Sequence, residues 1–156
     1  QLRQVVKLFK EDQAPRIAYV AEYLGSTSGE DFPTVGDLKQ LLQLGRESMD
    51  RTGPEFDDLS GTFFSLASDF AFCLCAFVQK YRSDVDWVAS KTSKKTLTYN
   101  RPLIARPDYE ASEGYIDGLR FFADSLRSSV RRGKTVDDVM RRLKRSIKRN
   151  FGIDLG

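Results

Sequence analysis

The sequence predicts a mainly α, single-domain helical bundle (residues 1–156) around a central buried helix over 60–81, with a short β-hairpin at about 85–104. Three observations carry that expectation. The stretch SGTFFSLASDFAFCLCAFVQKY, Ser60 to Tyr81, is too long for a strand and apolar nearly all round a helical wheel. The flanking segments repeat apolar residues at spacings of three and four. Between Asp84 and Arg106 the texture changes to β-formers around a polar KTSKK turn. The central run also invites a bilayer-spanning reading. Asp69 at its middle and charges close to both ends favour the core helix of a soluble domain instead.

The elements follow in order. Leu2, Val5, Val6 and Phe9 stand at helical spacing, although VVKLF also fits an edge strand. Pro15 suits the first turn of a second helix, because a missing N–H costs nothing there. Ile17, Val20, Ala21 and Leu24 line that helix, and Gly25 stops it. GSTSGEDFP reads as a loop. Thr34 with Asp37 forms a T-x-x-D cap for a third helix, whose buried stripe is Leu38, Leu41, Leu42, Gly45 and Met49. Asp57, Asp58 or Ser60 can cap the central helix.

Beyond it, Val85, Trp87 and Val88 pair with Thr96–Tyr99, continued by Leu103 and Ile104, while Pro102 requires an edge or a bend. Ser112 is read as the cap of the next helix, with Tyr115, Leu119, Phe122, Leu126 and Val130 on one face and Gly133 as its end. Gly114 and Gly118 in that helix would allow close packing on the central one. A second T-x-x-D, Thr135 and Asp138, opens a basic C-terminal helix over 135–150 that Gly152 terminates.

Composition narrows the chemistry. The chain has no histidine, which removes the commonest general base and the Ser–His and Cys–His pairings. Cys73 and Cys75 lie two apart on a helix and face different ways, so they read as buried free thiols in a reducing compartment. No signal-peptide-like run opens the chain, and Gln1 suggests a removed initiator methionine or tag. The net charge of +3 is unevenly spread: residues 127–150 carry ten basic against two acidic residues, and 1–126 carry fifteen against nineteen.

No phosphate-binding glycine loop, dinucleotide fingerprint, nucleophile elbow or metal-ligand cluster is present, so no cofactor or metal is expected. Paired carboxylates occur at Asp57–Asp58, at Asp84–Asp86, and at Glu113 and Asp117 with i, i+4 spacing. They could share a proton or a cation, but solvated loops and helix faces carry the same pairs. Asp69 must find a partner inside its apolar helix or have its pKa raised, and a structural hydrogen bond or salt bridge, for instance with an arginine, is favoured over a catalytic role. Around the last helix, Arg141, Arg142, Lys144, Arg145, Lys148 and Arg149 allow three readings: a solvated face, a nucleic-acid-binding region over 127–149, or a site for a membrane surface or acidic partner. No aromatic residue interleaves with these cations along the helix itself.

The segments FVQKYRSDVDW, KTSKK and TYNRPLI, within residues 66–106, form an apolar helix, an acidic–Trp strand, a polar turn and a Tyr-Asn-x-Pro strand. This order resembles small bacterial toxin-neutralising immunity proteins. The resemblance implies a cytoplasmic, non-catalytic protein that binds a cognate toxin. Its partner site would draw on Asp84, Asp86, Trp87, Tyr99, Arg101, Glu110 and Glu113, residue types suited to interface anchors and to electrostatic complementarity. Immunity proteins against nucleases are often strongly acidic, and the basic C-terminal helix departs from that habit.

Overall fold

The structure is a computed structural model that describes residues 2–52, 61–90, 101–110 and 112–156. Among the described residues five α-helices and three short strands follow one another, with a 3-10 turn at Gly29–Asp31 between the first two helices: α1 (Leu2–Leu24), α2 (Val35–Thr52), α3 (Gly61–Gln79), β1 (Asp86–Val88), β2 (Leu103–Ala105), β3 (Tyr115–Ile116), α4 (Gly118–Arg131) and α5 (Val136–Phe151). As its sequence predicts, α3 is the hub, packed by α1, α2, α4 and β1. Phe63, Phe70, Leu74 and Phe77 on it are at most 2% exposed. Burying a side chain of this size contributes about 1.5–3 kcal/mol. By length and composition alone α3 could cross a bilayer, yet 61% of its most apolar window is buried within the fold. Cys73 and Cys75 are free thiols in that core, where burial pushes both above their ordinary range.

The α1 expectation needs correction. A single helix runs from Leu2 to Leu24 with Pro15 inside it, where two helices are expected from the sequence. Pro15 and Glu11 are both exposed, so water can satisfy the Glu11 carbonyl that loses its N–H partner. Gly25 ends the helix with φ +61°, and Gln40 Nε2 caps the carbonyl of Leu24 at 3.2 Å. Thr34 and Asp37 form the expected reciprocal cap: Thr34 N donates to Asp37 Oδ2 at 2.8 Å, and Asp37 N donates to Thr34 Oγ1 at 3.3 Å. Along α2, Leu38, Leu41, Leu42, Gly45 and Met49 are all buried. Gly45 is required by close approach, since a Cβ there would lie 2.4 Å from Phe122 Cζ and 2.6 Å from Leu126 Cδ1.

The hairpin strands pair antiparallel, Trp87 opposite Ile104, and β3 adds a third strand with Ile104 opposite Ile116. The turn KTSKK and Thr96–Tyr99 lie outside the described residues. The third strand corrects the expected helix from Ser112. Gly114 at φ +85° is not helical, and the cap of α4 is Asp117, whose carboxylate accepts from Arg120 N at 3.1 Å. Gly118 alone makes the close helix contact, with a Cβ position 2.9 Å from Ala71 Cβ. A turn through Gly133 then folds α5 back against α4. The Thr135–Asp138 capping box and the left-handed Gly152 bound α5 as expected. Val139, Met140, Leu143, Ile147 and Phe151 face the core.

Candidate functional site

The charged groups of the molecule divide into those the fold uses and those it leaves open. Asp69, 2% exposed, belongs to the first kind. Arg16 Nε donates to its Oδ1 at 2.5 Å, Arg16 Nη2 to Oδ2 at 3.1 Å, and Tyr23 Oη to Oδ2 at 2.8 Å. This fork supplies the structural partner the sequence calls for, as a salt bridge and a hydrogen bond together. Burial and the neighbouring carboxylate push the Tyr23 hydroxyl well above its ordinary value.

The residues proposed around the hairpin are mostly engaged as well. Trp87 is 1% exposed, wedged at 4.9 Å from Phe9 and 5.8 Å from Phe72, with Nε1 donating to Gln13 Oε1 at 2.6 Å. Its ring and its N–H are both taken up inside the fold. Asp84 is exposed but accepts twice from Arg82, at 3.1 and 2.7 Å, and that arginine holds its carboxyl below the usual range. Asp86 pairs with Lys10 at 3.4 Å and caps its own strand at Trp87 N. Arg101 is bound to the buried carboxylate of Asp117 at 2.8 Å. Burial raises the Asp117 carboxyl, ahead of the opposing Arg120 N–H and Arg101. Asp117 is a cap and Glu113 sits before β3, so the two do not share a helix face as their spacing suggests. Glu110 and Glu113 are exposed in the β2–β3 loop, closed by Glu110 N donating to Glu113 O at 3.0 Å. Tyr99, Asp57 and Asp58 lie outside the described residues.

The α4–α5 face contrasts with this. Three adjoining clefts, of about 250, 490 and 260 Å³, lie along it from the Gly133 turn towards Asp117. The first is lined by Ser125, Ser128, Ser129, Arg132, Lys134, Arg142 and Arg145 among others, and the second by Phe121, Arg142, Arg145, Ser146 and Arg149. Ser125, Phe121 and Arg149 also line the third. A helix the length of α4 spans about 21 Å, which sets the scale of the groove.

Among the described residues three carboxylates border the groove, and each already has an arginine: Asp117 has Arg101, Asp124 has Arg120, and Asp138 has Arg141. Lys148 pairs with Asp154 at 3.3 Å. Among the described residues, Arg132, Lys134, Arg142, Arg145 and Arg149 have no carboxylate within ion-pair distance. Lys144 is partly buried on α5 and does not line the clefts. Asn150 is a structural residue: its Oδ1 accepts from Gly114 N at 3.0 Å and its Nδ2 donates to Ser146 O at 2.9 Å.

The sequence places the cations of α5, and Arg132 within the basic 127–149 region, but does not single out Phe121, Ser125 and Ser128. Their signal is the spacing 121, 125, 128, 132, which is one stripe of a helix that a short turn must lay beside α5. Among the described residues no group of three or more His, Cys, Asp or Glu could hold a metal ion. No protein-family model, no curated protein and no solved structure matches the chain.

Proposed function

We propose that this chain is a non-catalytic binding protein whose working surface is the α4–α5 groove and whose partner is nucleic acid. One observation carries the reading. Arg142, Arg145 and Arg149 project at i, i+3 and i+7 into a groove in which, among the described residues, every bordering carboxylate already has another cation. Clustered cations with no structural partner repel one another and weaken the fold, unless an external anion takes them up. Phosphates along a nucleic-acid backbone supply anions at that scale, and arginine matches them with paired N–H donors. The buried thiols Cys73 and Cys75 accord with a reducing, cytoplasmic setting.

Filter binding of mixed RNA and DNA fragments tests this reading. With three phosphates neutralised, affinity is expected to fall about 20- to 40-fold between roughly 50 and 200 mM salt. Replacing Arg142, Arg145 and Arg149 together by Gln is expected to abolish retention. Salt-independent retention, or retention by the triple variant, would remove the groove as the site.

The toxin-neutralising reading keeps one observation on its side. Glu110 and Glu113 stand exposed on one loop, with the exposed Asp108 beside them. A basic toxin surface could meet that edge. Charge reversal at Glu110 and Glu113 should then cancel protection of cells while leaving nucleic-acid retention unchanged.

A further inference from the structure

We infer that the groove is built for single-stranded rather than duplex nucleic acid, with a base lying on Phe121 and backbone phosphates on Arg142, Arg145 and Arg149. This inference rests on the basic-groove reading above and names its ligand more closely. Phe121 is half-buried and lines two of the three clefts beside Arg142, Arg149 and Ser146. Its ring lies nearly parallel to Phe70, at 10° and 6.2 Å between centroids. The core therefore backs the ring and fixes its orientation, leaving a held aromatic surface among arginines. That pairing of a cationic track with an aromatic platform suits unstacked bases. A duplex keeps its base faces inside the stack and offers an aromatic ring in a groove nothing to lie against.

Ser125 adds an independent observation. It is 2% exposed, lines both the first and third clefts, and makes no side-chain hydrogen bond among the described residues. A nearly buried hydroxyl held over a cationic groove is suited to donate to a phosphate oxygen. Readout of base edges is not expected. Asn150, the one amide on α5, is taken by Gly114 and Ser146, so binding should vary little with sequence.

The test is fluorescence anisotropy of the full chain with a labelled single-stranded oligonucleotide of about 12 nucleotides, the same sequence as a duplex, and a polyglutamate peptide. The single strand is expected to bind at least about tenfold more tightly than the duplex, with a logarithmic salt slope of about −2. Phe121→Leu should weaken single-strand binding about tenfold and leave that slope unchanged. Arg145→Gln should flatten the slope by about 0.7. Phe121→Trp should retain binding and show indole quenching on addition of the strand, which reports on the platform even if the leucine variant folds poorly. Equal single-strand and duplex affinity, with Phe121→Leu silent, overturns the stacking inference and leaves the basic-groove reading in place. Binding of polyglutamate but neither nucleic acid overturns both in favour of an acidic protein partner. No binding to any probe removes both.

Discussion

The Arg16–Asp69–Tyr23 cluster and the α4–α5 groove treat charge in opposite ways. At the first, a carboxylate sits within the most apolar helix of the molecule, and all three donors aimed at it come from α1. At the second, five cations lie along a surface whose nearby carboxylates are committed elsewhere. A charge removed from water must be met inside the protein, so Asp69 fixes how α1 lies on α3. A charge left in water can wait for a partner from outside. The contrast separates side chains that hold the fold from those available to a ligand, and substitution should resolve the two sets.

The largest effect is expected at the buried fork. Arg16→Ala leaves the Asp69 carboxylate with Tyr23 alone, and should cost about 3 kcal/mol in urea unfolding. That is the low end of the usual range, because Arg16 is partly exposed and water can enter where it stood. Next comes Gly45→Ala, which sets a methyl 2.4 Å from Phe122 Cζ and should cost about 1–3 kcal/mol unless α2 and α4 part.

Asp37→Asn follows at about 1–2 kcal/mol, with a pH signature. Burial pushes the Asp37 carboxyl up, but the Thr34 N–H and the Ser26, Ser28 and Thr34 hydroxyls outweigh it, so the carboxyl lies below its ordinary 3.8. Its contribution is therefore complete above 3.8 and lost as pH falls through the folded value. The gap between native and variant protein, measured by denaturation at about pH 6 and about pH 2.5, should narrow in acid. The smallest expected effect is at Arg145→Gln, whose stability change should stay within about 0.5 kcal/mol in either direction.

Much of the scaffold is legible in the sequence because the signals are local. The Thr34–Asp37 and Thr135–Asp138 caps, the Gly25 and Gly152 stops and the α2 stripe each lie within a few residues of the structure they specify. Asp69 is legible too, since an acid among Phe and Leu side chains demands a partner. What local pattern misreads depends on distant packing. Pro15 stays inside α1 because the face it disturbs is exposed, which no spacing reports. Tyr115 and Ile116 alternate too briefly to signal a strand and become one only by pairing with β2. Trp87 looks like a hot-spot anchor in a hairpin, but Phe9, from the far end of the chain, closes over it. The groove is half legible. Its cations follow each other along α5, while Phe121 and Ser125 reach them only through the α4–α5 turn, and no aromatic stands among the cations from Arg141 to Arg149.

The most direct measurement on the division of charge is a paired one on the Arg142→Gln, Arg145→Gln, Arg149→Gln variant: urea unfolding alongside single-strand binding by anisotropy. Unfolding is expected within about 0.5 kcal/mol of the native chain, or slightly more stable from relieved repulsion, together with loss of binding. A variant that loses more than about 2 kcal/mol while still binding the strand would show that these arginines hold the fold and are not the binding surface.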